Sequence, residues 1–364
     1  MKKFLFAIFF ALMLFPRAYA ASPKISALHA CLADALTGKV IYEYNGSERA
    51  PMASTTKIMT AVLALENMDM SEIITVSENA ARQEGSSAYF APGDKVPAEE
   101  VIYGLMLNSG NDAAIAIAEH ISGSSESFAE LMNEKARQLG ALDTNFSNPN
   151  GLDSQSHYTT AEDLAKITAY ALKNDEFRKI VSEKAHKTDY SSGTVWFSNH
   201  NKLLNMYDGC IGVKTGFTKR SGRCLVSAAE RGGITLICVT LNDPDDWADH
   251  KALLDFGFES AREKQAVKKG DVLKEIKTKG AKSVPAEAAE DFSYSVWGAD
   301  RTEIVTHTLP EIRADIDAGE KIGYMDIISN GNVIGRVDLL AGEKYVNKRS
   351  LIDKIRAFIG KKAF

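Results

Sequence analysis

The chain of 364 residues contains only four cysteines, Cys31, Cys210, Cys224 and Cys238, and no Cys-x-x-Cys pair. Its seven histidines form no His-Glu-x-x-His or similar cluster, so neither a protein-bound metal nor another cofactor is expected. Four cysteines allow three complete pairings, and spacing cannot choose among them. Each sits in an apolar, strand-like stretch, where a thiol serves as a small hydrophobe, so buried free thiols are the expectation. Basic residues are not in excess: 43 against 48 acids gives −5, the wrong sign for a nucleic-acid binder. No internal repeat or low-complexity linker is evident. The one long apolar run, residues 4 to 15, would reach about 18 Å as a helix, short of the roughly 30 Å hydrocarbon core of a bilayer.

With 45% hydrophobic and 25% charged residues the chain is globular, and its length suits two domains. Lys2 and Lys3, the apolar run, and Ala18-Tyr19-Ala20 have the layout of a secretory signal over residues 1–20, with a mature start at Ala21. No cysteine follows that cut, so a lipid-modified terminus is not suggested. Loss of Lys2, Lys3 and Arg17 leaves 40 basic against 48 acidic residues, a balance of −8.

Residues 21–257 read as one unit. Ser26 to Tyr44 forms two strands around Thr37-Gly38-Lys39, and residues 54 to 66 form a buried helix. Further helices begin near Pro97 and at Asn111. Two strands flank Glu230-Arg231-Gly232-Gly233, and a helix from Asp246 to Phe256 closes the unit. Strands at both ends with helices between them predict an α/β (α+β) fold, an antiparallel sheet covered by helices. Residues 258–343 show short alternating runs and an Asn330-Gly331 turn, the pattern of a small all-β domain. Residues 344–364 carry seven basic side chains and one acid, +6, against −14 for residues 21–343. Leu351, Ile352, Ile355, Phe358 and Ile359 share one helical arc bordered by Lys354 and Arg356, which predicts an amphipathic helix lying on a membrane surface.

Three short motifs can carry chemistry: Ser54-Thr55-Thr56-Lys57, Ser109-Gly110-Asn111 and Lys214-Thr215-Gly216. Singly each is weak. An N-cap, a helix-start turn and a strand edge would account for them, and a second Ser-x-Asn stands at Ser77-Glu78-Asn79. Together they make a coherent acylation site. Serine needs a neighbouring base, and residues three apart on a helix share a face, so Lys57 can meet the Ser54 hydroxyl. Burial favours a neutral lysine, and the positive end of the helix adds to that effect. Ser109 can relay a proton to a leaving amine, and Asn111 can hold a substrate backbone. Lys214 supplies charge for a carboxylate, while Gly216 lets a substrate lie close to the strand. Asp112 is read as a helix cap.

The trio is shared by penicillin-binding proteins and β-lactamases. Beyond it, the chain resembles the serine-type D-alanyl-D-alanine carboxypeptidases, the low-molecular-mass penicillin-binding proteins. The resemblance includes Pro51-Met52-Ala53, Gly85-Ser86-Ser87, residues 145–152 (NFSNPNGL), His157-Tyr158-Thr159-Thr160-Ala161, Asn201-Lys202-Leu203-Leu204 and residues 212–218 (GVKTGFT). It implies that Ser54 is the acyl-enzyme nucleophile, Lys57 its base and Ser109 the proton shuttle. Lys214 and Thr215 would hold the carboxylate of a peptidoglycan stem peptide ending in D-Ala-D-Ala, and the backbone N–H groups of Ser54 and Phe217 would form the oxyanion hole. β-Lactam antibiotics would acylate the same serine. Some members have histidine where this chain has Phe217, so any deacylation role of that histidine is missing here. A further basic residue often assists with the carboxylate; His200, Lys202 and Arg220 lie near the motif, and none stands out. A β-lactamase and a catalytically weak penicillin-binding scaffold are the alternatives.

Overall fold

The computed structural model describes residues 22–347, apart from 191–192, 280–281 and 300, together with Ile355. The expected signal segment lies outside the described residues, and of the expected tail helix 344–364 only residues 344–347 and Ile355 are described; residues 344–347 are not helical, because Tyr345 bridges to Ile316 and Lys344 pairs with Asp317 of the β domain.

Alternating apolar residues build a five-stranded antiparallel sheet in the order Val40–Tyr44, His29–Asp34, Ile234–Leu241, Gly222–Arg231, Cys210–Thr218. The period-two alternation splits each central strand between two cores. Cys31, Val226, Ile237 and Val239 face the large helical layer, while Ala30, Leu32, Leu225 and Leu236 face the helix Asp246–Ser260 on the other side. That helix, expected to end near Phe256, continues for another turn to Ser260. The cysteines are all free; Cys31, Cys224 and Cys238 are buried and Cys210 is half-buried. Their sulfurs fill space in these cores, and burial pushes the thiol pKa of each upward.

The helical layer contains Lys57–Asn67, Ala98–Met106, Asn111–Ser122, Ser125–Gln138, Ala161–Ala171 and Asp175–Ser182. Lys57–Asn67 runs through its middle, and its first eight residues are all buried. No polar face remains on that stretch, because neighbours cover the helix on every side. A hairpin of Ala185–Tyr190 and Gly193–Ser198 packs beside the Ala98–Met106 helix.

Between Arg262 and Ala341 the described residues form strands and turns only. A five-stranded antiparallel sheet has the order Val272–Lys277, Ser283–Ala288, Asn332–Ala341, Lys321–Ser329, Thr302–Thr308, accompanied by the pair Arg262–Val267 and Phe292–Val296. Its core includes Val284, Met325, Ile327 and Leu339. Trp297 Nε1 donates to Gly257 O (2.7 Å) and Asn332 Nδ2 to Thr37 O (2.9 Å), joining this unit to the first. No helix among the described residues is long and apolar enough to cross a membrane.

Candidate active site

Ser54 does not begin the α-helix. It lies in a 3-10 turn, Ala53–Thr56, and the α-helix starts at Lys57. Ala53, immediately before the serine, has φ +48°, a left-handed conformation that a non-glycine residue adopts only when its surroundings impose it. The surroundings are two backbones in close approach. A side chain at Gly151 would come within 2.1 Å of Ala53 O, and one at Gly216 within 3.1 Å of Ser54 N. The nucleophile turn is thus pressed between the 145–152 loop and the sheet's edge strand; only glycine fits at 151, and at 216 a side chain would be crowded.

Lys57 is fully buried. Its Nζ lies 3.0 Å from Ser54 Oγ, 2.7 Å from Asn111 Oδ1 and 2.6 Å from Asn150 O. Desolvation holds its pKa well below the usual lysine value; the nearby Lys214 charge lowers it further, and Asp112 opposes both. A neutral amine has two N–H groups and one lone pair. The two carbonyl oxygens accept the two N–H groups, which leaves the lone pair directed at the Ser54 hydroxyl. This geometry would let Lys57 serve as a base.

Ser109 and Asn111 occupy the turn between Ala98–Met106 and Asn111–Ser122, with Ser109 at φ +61°. Asn111, expected to hold substrate, places its Oδ1 on Lys57 and donates from Nδ2 to Glu84 O (2.6 Å), so most of its amide is engaged within the protein. Asp112 acts as a clasp. Its carboxylate accepts from Ala88 N (2.8 Å), Phe90 N (3.2 Å) and Ser87 Oγ (2.6 Å), holding the loop to the start of the helix.

Lys214 is also buried, with Nζ 3.1 Å from Thr215 O, and burial draws its pKa down to about 7. Ser54, Ser109, Thr215, Gly216 and Phe217 line one cleft of about 490 Å³, behind whose wall Lys57, Asn111 and Lys214 are buried. Of the three basic residues noted near the motif, His200 and Lys202 reach the cleft, whereas Arg220 donates to Ser154 O (2.8 Å). Desolvation, then the Lys214 charge, lowers the His200 pKa, so its ring is neutral at neutral pH.

Several residues of the site went unnoticed in sequence. Arg223 lines the cleft and sits opposite Phe217 across the hairpin, a position that strand pairing alone could have flagged. Asp246 accepts from its Nε (3.0 Å) and Nη2, fixing the plane of the guanidinium. Asn150 contributes through a backbone carbonyl, which no side-chain pattern announces. His157 supports the nucleophile turn. Its Nδ1 accepts from Ser147 N (3.0 Å), so Nε2 carries the proton that is donated to Thr56 Oγ1 (2.7 Å), and Thr56 in turn donates to Ala53 O. Burial and the Lys57 charge lower the His157 pKa to about 4, keeping this relay in one protonation state.

A strained serine turn beside a buried lysine, under a sheet edge carrying a second buried lysine, defines a class of serine acyl-transfer enzymes, and comparisons narrow it. The D-alanyl-D-alanine carboxypeptidase family model of peptidase S11 matches residues 17–245, and the model of the penicillin-binding protein 5 C-terminal domain matches residues 262–347. The chain belongs to the D-alanyl-D-alanine carboxypeptidase family, the low-molecular-mass penicillin-binding proteins. It is 33% identical to the carboxypeptidase DacF of Bacillus subtilis over 84% of this chain and 82% of that one. It is 30% identical to DacC of Escherichia coli over 92% and 89%. Penicillin-binding protein 5 from Haemophilus influenzae superposes with a TM-score of 0.67 at 27% identity, covering 89% of this chain and 98% of that one. The expected helix-covered antiparallel sheet, the all-β C-terminal domain and the D-alanyl-D-alanine carboxypeptidase activity stand on these findings.

Proposed function

We propose that Ser54 attacks the carbonyl between the last two D-alanines of a peptidoglycan stem pentapeptide. The observation that carries this reading is the fully buried Lys57 Nζ lying 3.0 Å from Ser54 Oγ. As the bond from Oγ to the carbonyl carbon forms, Lys57 Nζ takes the hydroxyl proton. The N–H groups of Ser54 and Phe217 receive the oxyanion. When the C–N bond breaks, the proton held on Lys57 passes through the Ser109 hydroxyl to the departing D-alanine amine; water then attacks the acyl carbon, giving its proton to Lys57, which returns it to Ser54 as the acid leaves. Ser109 makes no side-chain hydrogen bond among the described residues, which leaves its hydroxyl for this relay.

Lys214 and Thr215 hold the terminal carboxylate, and we assign Arg223 as the additional cation. Asp246 fixes its planar fork, and Nη1 offers a charge-assisted bond to an anion in the cleft. Arg223→Ala should raise KM for a D-Ala-D-Ala peptide about tenfold or more, with kcat far less affected. An unchanged KM would remove Arg223 from the site.

β-Lactams acylate the same serine, and with phenylalanine at 217 the adduct persists, because Lys57 and Ser109 alone must activate the deacylating water. Incubation with a D-Ala-D-Ala peptide, in parallel with a fluorescent penicillin, tests the whole reading. D-Alanine release with a label lasting far longer than seconds supports it. Fast penicillin turnover without D-alanine would instead indicate a β-lactamase, and labelling with neither turnover a scaffold.

The enzyme acts outside the cytoplasm, after export by the segment at residues 1–20, and takes part in peptidoglycan remodelling and cell shape. Residues 344–364 dock on the outer face of the cytoplasmic membrane. Each basic residue near an anionic leaflet adds up to about 1 kcal/mol, in concert with the apolar arc. Deleting residues 345–364 should release active enzyme from anionic vesicles. Undiminished sedimentation with the vesicles would exclude the tail as anchor.

A further inference from the structure

The hairpin of Ala185–Tyr190 and Gly193–Ser198 sorts its side chains by the two-residue period of a strand. One face looks inward. Phe197 packs on Phe90 at 6.5 Å between ring centroids, and His186 stacks on Tyr103 at 3.6 Å while its Nε2 meets Glu100 at 2.9 Å. The other face carries Ala185, Lys187, Asp189, Thr194, Trp196 and Ser198, and Trp196 is 62% exposed. An indole left in water forgoes the burial that stabilises most tryptophans. The strand beneath it cannot turn the ring inwards, because Phe197 is fully buried on the opposite face and Ser198 N donates to Asn108 Oδ1 (2.9 Å). That hydrogen bond also locates the hairpin. Asn108 adjoins Ser109, and His200 follows two residues after Ser198; Ser109 and His200 both line the cleft. Trp196 therefore stands on a fixed platform, four residues along the chain from the cleft wall.

We propose that this outer face binds the glycan strand that bears the stem peptide, with Trp196 stacked on a sugar ring. This rests on the functional reading above, which makes the substrate a peptide attached to a polysaccharide. Reach supplies the first argument. The four residues from His200 back to Trp196 span at most about 14 Å. Four stem residues precede the scissile bond and extend over a similar distance, so a sugar at their head comes level with the indole while the D-alanine pair lies in the cleft. Composition supplies the second argument. A pyranose has C–H faces and hydroxyl edges. The indole offers its electron-rich plane to the faces, and Lys187, Ser198 and the mutually bonded Asp189 and Thr194 surround it with donors and acceptors for the edges. A lipid surface or the core of a protein interface would call for more apolar area than one ring, and would desolvate the Asp189 carboxylate.

The test compares D-alanine release from N-acetylglucosaminyl-N-acetylmuramoyl-pentapeptide and from the same pentapeptide without sugar, both ending in D-Ala-D-Ala. The parent should favour the sugar-linked substrate. Trp196→Ala should lower the ratio of kcat/KM for linked over free substrate about three- to tenfold, mainly through KM of the linked one. Trp196→Tyr keeps an aromatic plane and should retain most of the parent ratio, and melting temperatures report on folding separately. A parental ratio in Trp196→Ala, or a parent indifferent to the sugar, would overturn the proposal while leaving the functional reading intact. If Trp196→Ala instead weakens sedimentation of the full chain with anionic vesicles at an unchanged ratio, the face is a lipid contact and the proposal fails. A parent chain that releases D-alanine from neither substrate overturns both readings.

Discussion

Ser54→Ala abolishes both D-alanine release and penicillin labelling: this is the largest effect expected of any single substitution. The rate should fall on the order of 10^4-fold or more, about 5 kcal/mol of transition-state stabilisation. No other serine among the described residues has a buried lysine Nζ within 3.0 Å. The loss should be purely chemical. The Ser54 hydroxyl bonds only to Lys57, while the turn around it is held by Thr55, Thr56 and two glycine contacts that alanine leaves in place. An unchanged melting temperature would confirm an intact fold, and normal labelling of this variant would sink the assignment of Ser54.

Lys57→Ala comes next, with an expected loss of about 10^2- to 10^4-fold, the usual share of a positioned base. Lys57→Arg should do no better, since a guanidinium keeps its proton and would bury a charge beside Lys214. The pH dependence has a definite sign. Lys57 must be neutral, so kcat/KM climbs as pH rises through its depressed pKa. Lys214 must be charged to attract a carboxylate, so kcat/KM declines above its pKa of about 7 in the free enzyme. The Lys214 charge is itself one cause of the low Lys57 pKa, so the two limbs are coupled. A flat profile between about pH 5 and 9 would contradict this pairing.

Both the layout and most of the site could be read from the sequence, for physical reasons that differ. The sheet was legible because its strands alternate between two apolar cores, and the buried helix because residues 57–64 have no polar face to expose. The catalytic trio was legible because its members act through side chains. The decoy Ser77-Glu78-Asn79 shows what a motif alone is worth: Ser77 is an ordinary N-cap, accepting from Ala80 N. Groups acting through the backbone stayed hidden, as with Asn150 O on Lys57. Asn111 was read as a substrate ligand, and the fold adds what its side chain alone could not announce: the same amide also meets Lys57 and Glu84. Arg223 was passed over because nearness along the chain misled. Across a hairpin it faces Phe217, while Arg220, closer in number, turns away to Ser154.

Strand His29–Asp34, one of the earliest segments to be synthesised, pairs residue 29 with residue 241 and residue 34 with residue 236. Until those late residues exist it has only the Val40–Tyr44 strand beside it, and a lone two-stranded ribbon is marginal in water. The whole helical layer lies within the chain segment that this pairing closes, which makes folding a slow, non-local event. Ser54, Lys57 and Asn111 can come together early, but the edge strand bearing Lys214 reaches them only at the end. A chain interrupted before Cys210 therefore has a serine and its base with no anion pocket facing them, and catalytic competence arrives in a single late step.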